Sequence, residues 1–335
     1  MLTENILLIF FILFNLLITL FFDKIKLFQV NIDKPDKKRK LHQNPTPLSG
    51  GIIVFFNIFL FFIIAQLNQD FLVNEVIFDN KSFVLFFFTS LLIFILGFFD
   101  DKYDLSAILK FLIITIIIVL ILFLDNNLNI KIIKFSFLNN KFDIQTYSII
   151  FTTFCFLVFL NAFNMFDGIN LQSGLYSVII FLSILFFYVD SLLIKVILIS
   201  ILGYSYLNFK NKTFLGDSGS LLLAFIIGYV FIKLYNFEKI NFTDEVVIYM
   251  LVPGIDLIRL FFRRVYLKRN PLTPDRFHIH HLLLLKYSHL KSILILQCLI
   301  ILPIVMNFLN INTLLIIILF VIFYSILIKK VLFKN

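Results

Sequence analysis

The chain has 335 residues, 61% of them hydrophobic, with 47 Phe and no Trp. That much apolar surface exceeds what a globular core can hide, which excludes an ordinary soluble domain. The formal net charge of +9 calls for no nucleic-acid partner, because basic loops on one side of a membrane and anionic headgroups account for it.

Apolar runs of about the length needed to cross a bilayer recur along the chain. Eleven are predicted, near 5–22, 50–67, 82–99, 105–124, 146–160, 174–189, 191–207, 220–235, 246–262, 292–309 and 313–328. The first lacks a basic n-region and a small-residue cleavage site, so it is read as a retained span. Each must be helical to satisfy its backbone in lipid. The expectation is an all-α polytopic membrane protein, one domain over 1–335, with a short external hairpin at about 125–145. Placing the N-terminus outside puts 20 Lys and Arg in the inward loops and 5 in the outward ones, which makes the C-terminus cytoplasmic. Cys155 and Cys298 both fall inside spans, far apart and without CxxC spacing, so neither a zinc site nor a disulfide is suggested.

The first inward loop carries Asp36-Lys-Lys-Arg-Lys40-Leu-His42-Gln-Asn-Pro45-Thr-Pro47-Leu-Ser-Gly50-Gly51. A basic run is what any inward loop shows. The Pro-Thr-Pro turn before paired glycines is more particular, since it lets backbone approach a ligand. Lys40 and His42 are the candidates there. The third span ends in Asp100-Asp101-Lys-Tyr-Asp104. Asp104 suits a simple N-cap for the next helix. Asp100 and Asp101 repel each other beside lipid unless a cation or donor compensates, and point to a metal, phosphate or general-base role.

After the fifth run comes Asn161-Ala-Phe-Asn164-Met-Phe-Asp167-Gly168-Ile-Asn170. Spacing by three places Asn161, Asn164 and Asp167 within one broad helical face; capping of a helix end is the plainer reading. The eighth span opens with Gly216-Asp217-Ser218-Gly219-Ser220, whose amides and hydroxyls suit phosphate oxygens. Asp217 would repel phosphate unless Mg²⁺ sits between them, and simple capping by Asp217 or Ser218 is the alternative. The ninth span is expected to be interrupted at Pro253-Gly254 and contains Asp256 and Arg259, a pattern that lines a cavity. It runs into Arg263-Arg264 and then Asp275-Arg276-Phe-His278-Ile-His280-His281. The three imidazoles lack a Cys or Glu to complete a zinc site; with Arg276 they suit a diphosphate or nucleotide.

In this order the motifs resemble those of the polyprenyl-phosphate N-acetylhexosamine-1-phosphate transferases, glycosyltransferase family 4, over roughly residues 35–285. Asp100-Asp101-x-x-Asp104 is similar to the DDxxD motif of that family, Asn161-x-x-Asn164-x-x-Asp167-Gly168 to NxxNxxDG, and Gly216-Asp217-x-Gly219-Ser220 to GDxGS. Pro274-Asp275-Arg276-x-His278-Ile-His280-His281 resembles the histidine loop of the WecA-like branch more than that of the MraY branch, which handles the muramyl-pentapeptide nucleotide. The chain departs at Asn170-Leu-Gln, where many bacterial members continue Asp-Gly-Leu.

The resemblance implies transfer of an N-acetylhexosamine 1-phosphate, with GlcNAc-1-phosphate favoured, from a UDP-sugar to undecaprenyl phosphate. UMP is released, and the lipid-diphospho-sugar starts a cell-envelope glycan. It implies an active site on the cytoplasmic face of a bacterial inner membrane and a Mg²⁺ cofactor, with Mn²⁺ as a substitute and a homodimer left open. Asp217 would hold the metal, with Asp167 in its shell or on the nucleotide, while Asp100 and Asp101 would position the lipid phosphate or accept its proton, positioning being preferred. Asn161, Asn164 and Asn170 are candidate substrate contacts, Asn164 on the nucleotide. Asp275, Arg276, His278, His280 and His281 would take the sugar-phosphate end, with Arg263 or Arg264 on the diphosphate. An MraY-like transferase and a non-enzymatic lipid or nucleotide-sugar binder stand as alternatives. A transporter would show repeated halves and a midplane site. A CDP-alcohol phosphotransferase would need a DGxxAR signature, which the chain lacks.

Overall fold

The computed structural model describes residues 2–35, 44–69, 71, 79–270 and 275–332; Lys40 and His42 lie outside them. Among the described residues there are twelve α-helices. In chain order these are α1 (Leu2–Phe21), α2 (Gly50–Leu67), α3 (Asn80–Tyr103), α4 (Ala107–Leu124), α5 (Ser148–Phe166) and α6 (Gln172–Phe187). There follow α7 (Leu192–Phe209), α8 (Gly216–Asn236), α9 (Thr243–Tyr266), α10 (Ile279–Lys286), α11 (His289–Phe308) and α12 (Thr313–Leu332). Nine of them are long and apolar enough to cross a membrane. The other two predicted runs became α6, with only 16 residues, and α9, which carries acidic residues in its first turn and arginines in its last. The chain is a polytopic helical membrane protein.

Helix α8 is the axis of the bundle. Its apolar window is buried throughout, as expected for a helix that is hydrophobic on every side. It packs on α3, α5 and α2, and its 21 residues span about 31 Å, close to the hydrocarbon thickness of about 30 Å. Asp217 stands at its first turn. Lys233, fully buried, lies sixteen residues on, about 24 Å away, and pairs at 2.7 Å with Asp125 at the C-terminus of α4. Two polar layers are thus fixed at opposite ends of the bundle. The far layer includes the expected hairpin: β3 (Ile132–Lys134) pairs antiparallel with β4 (Lys141–Asp143).

At the near end, short strands β1 (Ile32–Asp33) and β2 (Thr46–Pro47) pair antiparallel just before α2. The chain then bonds to the segment before α8, through Gly50 N–H to the Phe214 carbonyl (3.0 Å) and Gly51 N–H to the Leu215 carbonyl (3.1 Å). The paired glycines, expected to admit a ligand, admit α8 instead. A second close approach is made by Gly97 of α3, where a Cβ would come within 2.5 Å of Ser218 Cα. Such contacts bring the ends of α2 and α3 against the first turn of α8.

The expected break at Pro253 does not occur, and α9 runs through it. Proline removes one N–H and so frees the carbonyl four residues earlier. That carbonyl belongs to Tyr249, and the Tyr176 hydroxyl of α6 donates to it at 2.8 Å. A neighbouring helix meets the need that would otherwise open the turn.

Candidate active site

Five helix ends meet at the near layer, the C-termini of α3 and α5 and the N-termini of α2, α4 and α8. Asp100, in the last turn of α3, keeps only 4% of its side chain exposed. One of its oxygens accepts from Leu105 N–H (3.0 Å) and the other from the Lys110 ammonium of α4 (2.5 Å). Lys110 also donates to Asp217 at 2.8 Å. The second Asp217 oxygen accepts from the Asn164 amide at 2.9 Å, and the same amide donates to Ser220 Oγ at 2.8 Å. Asp217 retains 36% exposure, so of the two carboxylates it is the one open to a ligand. Two acids share one ammonium, which leaves the cluster an excess negative charge suited to a cation.

Asp101 is committed differently. Its oxygens accept from the N–H groups of Asp217 (2.7 Å) and Ser218 (3.1 Å) and from Ser218 Oγ (2.7 Å). The first turn of a helix has unpartnered N–H groups, and α8 has no side-chain cap of its own; Asp101 supplies one from α3. Capping by Asp217 or Ser218, the plain reading of the GDSGS segment, is not what happens. Asp104 likewise does not cap α4. Ser106 does, accepting from Leu109 N–H, while Asp104 closes α3 in the left-handed conformation, φ 52°.

The Asn161–Asn170 segment splits by role. Asn164 faces the cluster as described. Asn161 donates to the Leu157 carbonyl in its own helix (2.7 Å). Asp167, just past the end of α5, accepts from the Ser173 hydroxyl. Burial pushes its carboxyl up to about 7, opposed by the Ser173 hydrogen bond and assisted by the charge of Asp217. Asn170 donates to the Asn208 carbonyl (3.3 Å) and to Asn211 Oδ1 (2.5 Å), holding the turn onto the end of α7. The next residue, Leu171, sits at φ 70°, a conformation that favours glycine.

The histidine loop packs against this turn. His280 occupies the space beside Gly168 so closely that a Cβ there would lie 2.0 Å from Nε2, and Gln172 Nε2 is 3.4 Å from its Nδ1. Burial and the neighbouring imidazoles hold His280 well below the ordinary histidine range. Burial, with His278 and Arg276 adding, holds His281 down to about 4. His278 is bound through Nδ1 to Asp256 at 2.8 Å. Arg264, 2% exposed, donates to Asp275 at 2.9 Å. Burial opposes ionisation of Asp275, but the Arg264 hydrogen bond prevails and its pKa lies below the ordinary carboxylate range. Arg263 lies 3.5 Å over the Phe277 ring and keeps 30% exposure, while Arg276 is exposed. The two arginines read as diphosphate ligands therefore divide, Arg264 buried within the loop and Arg263 partly open.

Lys110 is the residue that sequence reasoning passed over, being taken as one more residue of a span. The signal was available, since a cation inside an apolar run is a functional candidate by default. Ser173 carried no comparable signal, while Ser220, singled out within the GDSGS segment, accepts from the Asn164 amide. Among the described residues no group of three His, Cys, Asp or Glu is arranged to hold a metal. Mg²⁺, however, is commonly held by one or two carboxylates with water and substrate phosphates completing the shell. Asp217, with 36% of its side chain exposed, is the carboxylate that fits that need.

A polytopic helical membrane protein with carboxylates, an ammonium and imidazoles gathered at one end of the bundle belongs to the class that handles charged groups at a membrane face. Residues 83–235 match the model of glycosyl transferase family 4, a stretch running from α3 to the end of α8. The chain is 27% identical over 265 residues to the undecaprenyl-phosphate alpha-N-acetylglucosaminyl 1-phosphate transferase of Salmonella typhi, covering 76% of this chain and 69% of the relative. It is 29% identical over 276 residues to the probable undecaprenyl-phosphate N-acetylglucosaminyl 1-phosphate transferase of Bacillus subtilis, 79% and 73% covered. The transferase of the first name from Thermotoga maritima is 28% identical over 266 residues, 79% and 77% covered. Over residues 83–235 the chain is thus similar to glycosyl transferase family 4.

Proposed function

We propose that this protein transfers N-acetylglucosamine 1-phosphate from UDP-N-acetylglucosamine to undecaprenyl phosphate, at the cytoplasmic face of a bacterial inner membrane. The observation that carries this reading is the convergence of Asp100, Lys110, Asn164 and Asp217 from four helices at one end of the bundle. The motif-bearing end is the inward one by the excess of Lys and Arg in the loops beside it, with eleven spans and an outward N-terminus.

In the reaction, an oxygen of the lipid phosphate attacks the phosphorus that bears the sugar. The bond from that phosphorus to the UMP oxygen breaks, and UMP leaves with the electron pair. A phosphate monoester has its second pKa near 6, so the nucleophile is largely dianionic at neutral pH and needs little help from a base. Positioning and charge neutralisation therefore dominate. Mg²⁺ would be held by Asp217 and would supply Lewis-acid neutralisation of the diphosphate. Lys110 offers its ammonium to the incoming lipid phosphate while Asp100 holds that ammonium in place. Asp101 sets the backbone that carries Asp217. Asn164 orients the Asp217 carboxylate, and Arg263, Arg276 and His281 line the side from which the nucleotide sugar approaches, while the buried His280 packs against Gly168. The lipid tail would lie along the apolar outer faces of the helices.

The test is UMP release by purified protein from a panel of UDP-sugars with undecaprenyl phosphate, before and after chelation. Metal-dependent UMP with the GlcNAc nucleotide alone is the expected result. No UMP from any sugar, with folded protein, would overturn the reading.

A further inference from the structure

Helix α12 lies outside the family-matched stretch and mostly faces outward, with a single buried stripe of Thr313, Ile316, Phe320, Tyr324 and Ile328. The stripe follows helical spacing, and apolar packing accounts for most of it. Tyr324 does more. Its side chain is 2% exposed, and its hydroxyl donates to Asp256 Oδ1 of α9 at 2.6 Å.

Asp256 is itself a point of convergence. Oδ1 also accepts from Arg259 (2.7 Å) and from Ile279 N–H (3.2 Å), and Oδ2 accepts from His278 Nδ1 (2.8 Å). Arg259 donates in addition to the Phe277 carbonyl (2.5 Å). One carboxylate therefore grips the loop directly at residues 278 and 279 and, through Arg259, at 277. A carboxylate only accepts, so Nδ1 of His278 carries the hydrogen, and in the neutral ring Nε2 keeps its lone pair. His278 stacks on His280 with centroids 5.4 Å apart and planes within 5°. His280 in turn fills the space beside Gly168, next to Asp167.

We propose that Tyr324 and Asp256 are positioning residues that hold His278 in its Nδ1-protonated tautomer and set the histidine loop against the Asp167–Gly168 turn. They thereby tune binding of the nucleotide sugar from the last helix of the chain. The catalytic part of this inference rests on the transferase reading above; the tautomer does not. Tyr324→Phe deletes the hydroxyl and leaves the ring stacked on Phe320.

The first readout is steady-state UMP release by the full chain, with each substrate varied in turn. The KM for UDP-N-acetylglucosamine should rise about fivefold, from the loss of one hydrogen bond to the carboxylate. The KM for undecaprenyl phosphate and the Tm should stay near the wild-type values. A rise in both KM values together with a fall in Tm, or no change in either, overturns the positioning role. The second readout is NMR of histidine-labelled protein, which needs no activity and so separates this inference from failure of the transferase reading. The downfield Nδ1 proton of His278, assigned through its absence in His278→Gln, should shift in Tyr324→Phe and vanish in Asp256→Asn. The same resonance in all three proteins would contradict the network.

Discussion

The Lys110 ammonium lies 2.8 Å from Asp217, a carboxylate 107 residues further along the chain, and 2.5 Å from Asp100. Lys110 on Asp100 and the first-turn amides of α8 on Asp101 explain how these adjacent aspartates persist beside lipid. Removing Lys110 leaves Asp100, almost wholly buried, without its counter-charge. Lys110→Ala should lower activity by about 10²-fold, as expected when a group that neutralises phosphate charge is lost, and should lower Tm. Adding Asp100→Asn removes the stranded charge, so the double variant should recover part of the Tm and none of the activity. Thermal melts and UMP release on the single and double variants decide this, and independent, additive effects on Tm would contradict it.

Asp101 and Asp217 differ in what they hold, though motif and spacing present both as acids of one site. Asp101→Asn disturbs a helix cap, which costs about 1 kcal/mol of stability, and should leave activity within about tenfold. Asp217→Asn removes the carboxylate left open to ligand and should lower activity by more than about 10²-fold with little change in Tm. Equal losses of activity for the two, at equal stability, would show that Asp101 does more than cap α8.

Leu171 occupies φ 70° at the entrance to α6, a position where the related pattern carries glycine. The left-handed conformation costs a residue with a Cβ about 1–2 kcal/mol. Comparing Leu171→Gly with Leu171→Ala removes the leucine side chain in both. Glycine should be the more stable of the pair by about 1 kcal/mol, measured by chemical or thermal unfolding in detergent, and an alanine variant as stable as the glycine one would mean the turn relaxes.

Acid should weaken the protein in a definite window. Burial and neighbouring positive groups hold His281 down to about 4, so the unfolded chain takes up that proton near the ordinary value of about 6.5 before the folded one does. Stability is therefore full above about 6.5 and falls as pH drops from there toward 4. His281→Gln cannot titrate and should flatten that part of the Tm–pH curve. A curve identical to that of the wild type would place the acid sensitivity elsewhere.

Much of this was legible in the sequence because lipid simplifies the problem. Long apolar runs must become helices, and polar residues that survive at their ends stand out. Asp100, Asn164, Asp167, Asp217 and the histidine loop were visible on that ground, and the structure gathers them at one end of the bundle. What stayed hidden depends on contacts between distant elements. Asp101 looks the same whether it faces a phosphate or the amides of α8, and only the close approach at Gly97 decides. Pro253 reads as a break unless Tyr176 is known to reach the Tyr249 carbonyl. Asn170 invites a ligand role on paper, while its partners Asn208 and Asn211 lie some forty residues on.

The central claim is that the sugar moves together with its phosphate, and position-specific labelling tests it most directly. The donor would be UDP-N-acetylglucosamine carrying radioactive phosphorus only in the phosphate attached to the sugar, incubated with purified protein, undecaprenyl phosphate and Mg²⁺. The account predicts label in the organic-extractable lipid, in equal amount to unlabelled UMP, and none of either with Asp217→Asn. Label left on UDP while sugar reaches the lipid, or label that never leaves the donor, would contradict it.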